Sequence, residues 1–500
     1  MPLQASLEID PSSVIAPVNP RTFGSFVEHM GRCVYTGISE PGHPTADEDG
    51  LRGDVLNLVR EMGVTIVRYP GGNFVSGYRW EDGVGPVEHR PVRLDPAWKT
   101  TEPNTFGLEE FSRWATKAGV DTMLALNLGT RGVQEALDLV EYCNHPSGTL
   151  LSDLRRSHGR ELPYSIRTWC LGNEMDGPWQ LGHKTADEYG RLAAETARAM
   201  RMIDSEVELV VCGSSGASMP TFGDWEERVL EHTYEQADLI SAHAYYEQEE
   251  SDLGSFMASA VDMDRFIRTV ISIADQVGAR RESRKRIDIS FDEWNVWYMS
   301  RMEPAADWDR APRLAEDSYN VADAVVVGSL LMTLLRNSDR VAVACQAQLV
   351  NAISAIRTEP GGPAWRQSIF HPFALTAKHA RGEVLSVLPT SPVYDSARYG
   401  EVPFLDSVST HDPDTGELNL FSVNRSTHDG VQLAIDLRAF PGYQVAGHQI
   451  LADEDRQATN SQLEPTRIEP REAGTEFSQG RAEVTLPPIS WSLLRLVRTP

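Results

Sequence analysis

The chain has 500 residues, of which 41% are hydrophobic and 24% charged, and its formal net charge is −26. This length suits a large globular domain plus a smaller one. The charge repels phosphate backbones and anionic lipid, so we expect no nucleic acid and no membrane partner, whereas an uncharged ligand is not repelled. The start of the chain lacks a basic and apolar leader, and the five cysteines are scattered. We therefore expect a cytoplasmic protein with free, buried thiols.

Eight short apolar runs alternate with longer amphipathic segments between residues 18 and 381. The runs cover residues 22–26, 65–69, 123–128, 165–171, 208–212, 239–243, 287–291 and 341–345. Runs without polar alternation are typical of parallel strands buried on both faces. Eight strand–helix alternations predict an α/β fold of the (β/α)8, or TIM, barrel type over residues 18–381. A doubly wound open sheet is the alternative, although no GxGxxG motif follows the first run.

Helix-end signals stand between several of these runs. Residues 108–118 have a helical pattern and are followed by Gly119, a natural residue for a left-handed C-cap. Thr185 and Glu188 have the spacing of a capping box, which predicts a helix start at that point. Residues 320–335 are apolar almost throughout, which predicts a buried helix too short to span a bilayer.

Beyond residue 381 the pattern changes to short strands separated by turns. The predicted strands cover residues 383–388, 402–410, 417–424, 431–437, 443–451 and 482–497. We predict a jelly-roll-like, antiparallel β-sandwich over residues 382–500, to which residues 1–17 add an N-terminal strand. No flexible linker separates the two regions, so we expect them to pack together and the sandwich to serve packing or assembly.

Polar side chains follow most of the barrel strands, where such barrels carry their active sites. Because these strand ends share one rim, we expect the side chains to face one pocket. They are Glu28 and His29 after the first run, Arg68 and Asn73 after the second, Asn173 and Glu174 after the fourth, His243 and Tyr245 after the sixth, Asp292 and Glu293 after the seventh, and Gln346 and Gln348 after the eighth.

Two of these residues, Glu174 and Glu293, suit the cleavage of a glycosidic bond. That reaction needs one carboxylic acid to protonate the leaving oxygen and a second carboxylate to attack the anomeric carbon or activate water. Asn173 offers a hydrogen bond to a sugar hydroxyl, as do other rim residues. Flat faces for sugar rings are offered by Trp98, Trp179, Trp294 and Trp297. A place in the core is the alternative for all of them except Trp98, which we expect in a loop.

The residues at the strand ends also allow other functions. His29, His243 and Asp292 suggest a metal-dependent hydrolase, but no HxH or HExxH spacing supports a metal, and we predict none. Neighbours on a strand face opposite ways, so we expect Asp292 to point away from Glu293 and to act as a structural anchor. A third possibility is a non-catalytic sugar-binding protein in which the sandwich is the working part.

The chain resembles the α-L-arabinofuranosidases of glycoside hydrolase family 51, over the whole predicted barrel and in order. The matching stretches are 24–29 (GSFVEH), 41–50 (PGHPTADEDG), 68–78 (RYPGGNFVSGY), 171–179 (LGNEMDGPW), 291–298 (FDEWNVWY) and 347–351 (AQLVN). Thr36 is a departure, because glycine often follows the residue that matches Tyr35. It affects the expected shape of the entrance and not the chemistry.

The resemblance implies a retaining, exo-acting enzyme that removes terminal α-L-arabinofuranosyl units from arabino-oligosaccharides without a cofactor. Glu174 would be the acid/base and Glu293 the nucleophile. Family members are typically hexamers, so a homo-oligomer is expected. The expected substrate-binding residues are Glu28, Arg68, Asn73, Asn173, His243, Tyr245 and Gln348, with Gln346 as a rival for Gln348 and with Trp98 and Trp297 at the entrance. Another retaining barrel glycosidase, a β-xylosidase or an endo-glucanase, is the alternative within the class.

Overall fold

A computed structural model describes residues 2–249 and 251–499. In chain order its strands are β1 Leu3–Glu8, β2 Val14–Pro17, β3 Gly24–Phe26, β4 Ile66–Tyr69, β5 Arg93–Asp95, β6 Thr100–Glu102, β7 Asp121–Ala125, β8 Thr168–Leu171, β9 Glu208–Val211, β10 Leu239–Tyr246, β11 Asp288–Val296, β12 Val341–Gln346, β13 Ile356–Thr358, β14 Ala364–Arg366, β15 Glu383–Leu385, β16 Val393–Ser396, β17 Gly400–Pro403, β18 Leu405–Asp412, β19 Glu417–Asn424, β20 Val431–Asp436, β21 Tyr443–Leu451, β22 Arg471–Glu472, β23 Glu476–Ser478, β24 Arg481–Leu486 and β25 Ser490–Arg498. Most of these strands belong to a barrel or to the two sheets of a sandwich, and three pairs, β5-β6, β13-β14 and β16-β17, stand apart.

The helices lie mainly in the barrel region. They are α1 Gly53–Met62, α2 Leu108–Ala118, α3 Val133–Asn144, α4 Leu150–Ser157, α5 Ala186–Ile203, α6 Asp224–Thr233, α7 Leu253–Met257, α8 Ser259–Arg280, α9 Val321–Arg336 and α10 Phe370–His379, with short 3₁₀ helices at Pro20–Phe23, Asn73–Gly77, Trp80–Gly83, Val87–His89 and Met299–Arg301. Within the described part of the chain, no helix is both long enough and apolar enough to cross a lipid bilayer.

The eight predicted parallel strands close into a barrel, which confirms the predicted fold class. The closed order is β3, β4, β7, β8, β9, β10, β11 and β12, in chain sequence. The two longest, β10 and β11, run past the predicted ends, so that Glu293 lies inside a strand instead of after one. Their side chains are buried on both faces, as the runs without alternation predicted.

The predicted helix ends are confirmed where caps were expected. α2 ends at Gly119, whose φ of 76° is left-handed. The Thr185 hydroxyl accepts the backbone N–H of Glu188 at the start of α5. Asn320 caps α9 in the same way, by accepting the backbone N–H groups of Ala322 and Asp323. These caps satisfy donors that the first turn of a helix leaves unpaired.

The sandwich has two sheets, and the N-terminal segment supplies one strand to each. The sheets have the orders β1-β20-β24-β23 and β2-β15-β18-β19-β25-β21-β22. All neighbouring strands pair antiparallel, as predicted, except β1 and β20, which pair parallel. β20 alternates buried and exposed residues because one face lies on the core and the other faces solvent. The domain limits themselves, 18–381 and 382–500 with 1–17, remain a prediction.

Helix α9 packs between the barrel and the larger sheet of the sandwich. It is buried from Val321 to Leu335 because it has a neighbour on each side. A Cβ on Gly328 would overlap the indole of Trp491, so glycine permits this close approach. At the end of the helix, Arg336 pairs with Asp406 at 2.7 Å, and Arg425 pairs with the same carboxylate at 2.6 Å. The barrel and the sandwich are therefore in direct contact.

The five cysteines are all free and buried, as expected from their spacing.

Thr36 has a left-handed φ of 62°, a conformation that favours glycine over a β-branched residue. Its carbonyl accepts from Arg52 and Thr358. Thr36 is not among the residues that line the cavity described below.

Candidate active site

A cavity of about 810 Å³ opens at the carboxyl ends of the barrel strands. Its volume is in the range of small-molecule sites. Most residues expected at the rim line it, as the strand-end argument predicted. Those residues are Glu28, Asn73, Trp98, Glu174, Trp179, His243, Tyr245, Glu293, Trp297 and Gln348. The cavity therefore gathers side chains from six barrel strands or the loops that follow them.

Glu174 and Glu293 face each other inside this cavity. One oxygen of each carboxylate and a nitrogen of His243 all lie within 4.8 Å of one another. Inverting glycosidases hold their carboxyl groups about 6.5–9.5 Å apart, and retaining ones about 5–5.5 Å apart. The two residues are almost completely buried, at 8% and 5% exposed. This limit of 4.8 Å between the nearest oxygens lies below the inverting range and close to the retaining one.

His243 lies between the carboxylates. Its Nδ1 is 2.8 Å from Oε1 of Glu174 and 3.7 Å from Oε2 of Glu293, and its Nε2 is 3.2 Å from Oδ1 of Asp292. Burial alone would lower the pKa of His243, but the Glu293, Asp292 and Glu174 carboxylates outweigh it and raise the pKa to about 10. At neutral pH the ring is therefore an imidazolium, with both nitrogens donating.

Arg68 lies behind the pair instead of at the surface of the cavity. Its Nη1 is 2.6 Å from Oε1 of Glu293, its Nε is 3.2 Å from Oδ2 of Asp292, and its Nη2 donates to Oδ1 of Asn173 at 2.7 Å. Arg68 was expected to bind substrate, but it is absent from the cavity lining and its guanidinium is occupied by these partners. The geometry makes it a support for Glu293.

The consecutive residues Asp292 and Glu293 both reach Arg68 and His243, so the expectation that they point opposite ways is wrong. The reason is local: the pairing of β11 with β12 shifts register between Phe291 and Trp294. Such an irregularity turns two neighbouring side chains toward the same side. Asp292 is fully buried, and among the described residues its side chain contacts Arg68, His243 and, at 3.6 Å, Cys170, which suits the predicted role of an anchor.

The carboxylates differ in their surroundings. The pKa of Glu293 is raised, chiefly by burial and also by the charge of Glu174. His243, Arg68 and the Tyr245 hydroxyl act in the opposite direction and lower it. The Tyr245 hydroxyl donates to Oε2 of Glu293 at 2.8 Å. Burial would also raise the pKa of Asp292, but Arg68 and His243 hold it below its usual value. The two cations thus stabilise the ionised forms of both neighbouring carboxylates.

Glu174 is held in an unusual backbone conformation. Its φ is 44°, and Gly172 two residues earlier has a φ of 98°. A non-glycine residue in the left-handed region carries strain that the surroundings must hold, and such residues cluster at functional sites. The indole N–H of Trp179 donates to Oε2 of Glu174 at 2.9 Å. Trp179 is 51% exposed, so this oxygen faces the mouth of the cavity.

Glu28 forms the opposite wall. Its Oε1 accepts the backbone N–H of Phe74 at 2.9 Å and the indole N–H of Trp98 at 2.8 Å, while its Oε2 accepts from Gln348 at 3.2 Å. Burial is the main cause that raises its pKa to about 8. A Cβ on Gly72 would lie 3.3 Å from Oε1 of Glu293 and 3.2 Å from Oε2 of Glu28, so the turn packs closely between two carboxyl groups.

The remaining expected residues divide between the cavity and the core. Tyr245 and Trp297 meet edge to face at 5.0 Å and both line the cavity. Asn173 is buried, and its amide nitrogen has no hydrogen-bond partner among the described residues. Trp294 lies in the core, which decides against its use as a sugar platform. Gln346 is fully buried and donates to Asn295, so Gln348 is the one that faces the cavity.

The suggested metal set is not brought together. The nitrogens of His29 are 2.9 Å from Glu102 and 3.0 Å from the Tyr69 hydroxyl, away from His243. Glu174, His243 and Glu293 do have the spacing of a metal site. However, both His243 nitrogens are engaged by carboxylates and the ring is cationic at neutral pH. The contacts of the three groups are thus accounted for within the protein: Glu174 accepts from His243 and Trp179, and Glu293 accepts from Arg68 and Tyr245.

Sequence reasoning missed part of the cavity lining. Residues 215–219 follow the fifth barrel strand and are rich in serine and glycine, a strand-end signal of the kind used for the other rim residues. Asp262, Arg398 and Tyr399 also line it. Arg398 and Tyr399 belong to the sandwich, so no pattern in the barrel sequence could have indicated them.

Two close carboxylates, one just after strand β8 and one within strand β11 of a TIM barrel, with tryptophans around them, define a site of the glycoside hydrolase class. Models of known families extend this conclusion. The α-L-arabinofuranosidase 1 domain matches residues 58–259, and the α-L-arabinofuranosidase C-terminal domain matches residues 292–490.

Individual relatives agree with the family models. An intracellular exo-α-(1→5)-L-arabinofuranosidase of Streptomyces lividans is 58% identical over 98% of this chain and 75% of its own. An exo-α-(1→6)-L-arabinofuranosidase of Bifidobacterium longum is 52% identical over 99% of this chain and 97% of its own. The structure of a family 51 α-L-arabinofuranosidase from Bifidobacterium longum superposes with a TM-score of 0.95 at 48% identity, over 98% of this chain and 99% of that one. The chain belongs to the α-L-arabinofuranosidases of glycoside hydrolase family 51.

Proposed function

We propose that this protein is a retaining exo-α-L-arabinofuranosidase that removes terminal α-L-arabinofuranosyl units from oligosaccharides. The observation that carries the proposal is the Glu174–Glu293 pair: one oxygen of each lies within 4.8 Å of the other, and both carboxylates contact His243. The names of the relatives support the sugar and the exo mode of action. Those names also differ in linkage, 1→5 in one and 1→6 in the other, so these two linkages are the first to compare.

In the first step, a carboxylate oxygen of Glu293 attacks the anomeric carbon and the bond to the leaving oxygen breaks. Glu174 gives its proton to that oxygen, and a glycosyl ester of Glu293 forms. In the second step, Glu174 takes a proton from water, and the resulting oxygen attacks the anomeric carbon and releases Glu293. Arg68, His243 and Tyr245 surround Glu293 with donors, which supports its role as the ionised nucleophile.

The other cavity residues suit the binding of the furanose. Glu28 and Gln348 present acceptors and donors to hydroxyl groups, as does Asn73 at the same wall. The free amide N–H groups of Asn173 lie next to the acid/base residue and suit a hydroxyl beside the reacting carbon. Trp98 and Trp297 supply apolar surface, and both belong to one apolar cluster beside the cavity. Such a mixture of aromatic surface and a few placed polar groups is typical of sugar and other small-molecule sites.

Two variants separate the roles of the glutamates. Glu293→Ala should lose turnover of an aryl α-L-arabinofuranoside and, when azide is supplied, form a glycosyl azide of inverted configuration. Glu174→Ala should keep the first step on aryl glycosides with good leaving groups and fail on poor ones. Identical behaviour of the two variants would contradict the assignment. An inverted product from the unaltered enzyme, measured by NMR at early times, would contradict the retaining mechanism.

Substrate class is tested by a panel of aryl arabinofuranoside, aryl xyloside and cellulosic substrates. We expect turnover of the first, and preference for either of the others would favour a β-xylosidase or an endo-glucanase.

A cytoplasmic location is supported by the word intracellular in the name of the Streptomyces lividans relative. A homo-oligomer, hexameric by the family resemblance, would have six times the chain mass of 55.5 kDa, which light scattering measures directly.

A further inference from the structure

A hairpin of the sandwich reaches the cavity of the barrel. Strands β16 and β17 form a two-stranded sheet of their own and, within residues 2–249 and 251–499, pair with no strand of either sandwich sheet. The turn between them carries Arg398 and Tyr399, and both line the cavity that holds Glu174 and Glu293. One wall of the cavity therefore comes from the C-terminal region and not from a barrel loop.

Hydrogen bonds fix this hairpin to the barrel. The Tyr394 hydroxyl donates to the Gly254 carbonyl at 2.9 Å, and the hydroxyls of Ser396 and Ser255 lie 2.9 Å apart. The backbone N–H of Arg398 donates to the Ser255 hydroxyl at 3.2 Å. These contacts hold the turn against helix α7, so Arg398 and Tyr399 are held at the rim by the helix as well as by their own strand pair.

The hairpin lies at the open side of the cavity. Glu28, Trp98 and Gln348 form a closed wall through their mutual hydrogen bonds. The proton donor must face the leaving group, and Oε2 of Glu174 is held by the exposed Trp179 at the mouth. Arg398 is also exposed, with 44% of its side chain accessible. Trp179 and Arg398 are therefore both exposed residues of the cavity lining, and a leaving group that extends to solvent must cross the exposed part of that lining.

Space for a second sugar exists beside the hairpin. A smaller cavity of about 180 Å³ adjoins the main one and shares four lining residues with it. The shared residues are Tyr245, Tyr246, Arg398 and Tyr399. A tyrosine ring and hydroxyl together with a guanidinium offer a stacking face and several donors, which are the groups that recognise a hydroxyl-rich ring.

We propose that Tyr399 and Arg398 contact the sugar on the leaving-group side of the scissile bond and set the preference for oligosaccharides over simple glycosides. The inference rests on the proposed arabinofuranosidase function. It assigns the sandwich a part in substrate selection, beyond packing or assembly. Arg398 is anchored for this role by ion pairs with Glu249 and, at 3.9 Å, Asp252.

The test compares two substrates with the same terminal unit, methyl α-L-arabinofuranoside and an arabino-oligosaccharide. Tyr399→Ala should lower the ratio of kcat/KM on the oligosaccharide to kcat/KM on the methyl glycoside by roughly ten-fold, the usual effect of losing one well-placed contact. Tyr399→Phe keeps the ring and should lower the ratio less. Arg398→Ala should lower it in the same direction.

Glu401→Ala is the matched control, because Glu401 is exposed on the same hairpin and does not line either cavity. It should leave the ratio unchanged. An unchanged ratio in both Tyr399 variants, or an equal fall in the control, would overturn the inference. Absence of turnover of both glycosides by the unaltered enzyme would instead overturn the proposed function, so the two failures are distinguishable.

Discussion

Nδ1 of His243 lies 2.8 Å from Oε1 of Glu174, which places a buried cation beside the carboxyl proposed as acid and base. The same nitrogen is 3.7 Å from Glu293, so one imidazolium acts on both members of the pair. A charge held in this position, away from water, interacts with its neighbours far more strongly than one at the surface. The pH dependence of the enzyme should therefore depend on His243.

Replacement of His243 by glutamine removes that cation. The pKa of Glu293 should rise, because His243 now lowers it, and the acid limb of the kcat/KM profile should move to higher pH. We also expect kcat/KM at the optimum to fall roughly 100-fold, as for loss of other preorganised groups in active sites. His232→Gln, at a partly exposed histidine paired with Asp187, is the control. An unshifted acid limb in His243→Gln would contradict the assigned role.

Glu28 should produce a basic limb in the pH profile. Its pKa is raised to about 8, so it is neutral below that pH and adds a negative charge near Glu293 above it. Glu28→Gln should lack the inflection near pH 8 in kcat/KM. The raised pKa of Glu28 also affects the free energy of unfolding. Because the folded protein keeps this carboxyl protonated at pH values where the unfolded chain has ionised it, the stability that Glu28 contributes is complete below its unfolded pKa and is lost as pH rises through about 8. Persistence of the inflection in Glu28→Gln would assign it to another group.

Gly328→Ala should destabilise the interface between helix α9 and the sandwich, because the added methyl overlaps the Trp491 indole. Overpacking of this kind costs about 1–3 kcal/mol, visible as a lower midpoint in urea or heat. Gly447→Ala is the control, since a Cβ there meets no atom within 4 Å. Equal midpoints for Gly328→Ala and the unaltered protein would contradict the close packing of Gly328 against Trp491.

Asp406 should make stability depend on acid pH. Burial would raise its pKa, but Arg336 and Arg425 outweigh burial and lower it. A lowered folded pKa gives stability that is present above the unfolded pKa and lost as pH falls through the folded one. Asp406→Asn should cost about 3 kcal/mol at pH 7, as for other broken buried pairs, and flatten the acid side of the curve. Asp414→Asn, at an exposed turn, should change neither.

Much of the fold was predictable because parallel barrel strands have an unusually clear sequence pattern. The same pattern placed Glu174 and Glu293 at one rim, since parallel strands end together. The alternation rule failed at Asp292 because it assumes regular pairing, and nothing in the residues 288–296 indicates the register shift. Arg398 and Tyr399 were missed for another reason: their position depends on how the sandwich packs on the barrel, a contact between residues far apart in the chain.

The buried helix α9 has a consequence for experiments that divide the protein. From Val321 to Leu335 it presents no water-facing side, because the barrel covers one side and the larger sheet of the sandwich covers the other. A shortened chain that ends near residue 381 would leave one side of this helix uncovered, and exposed apolar patches of that kind promote aggregation. The catalytic barrel is therefore not a module to be transplanted alone, and chimeras within the family should exchange the helix and the sandwich as one unit.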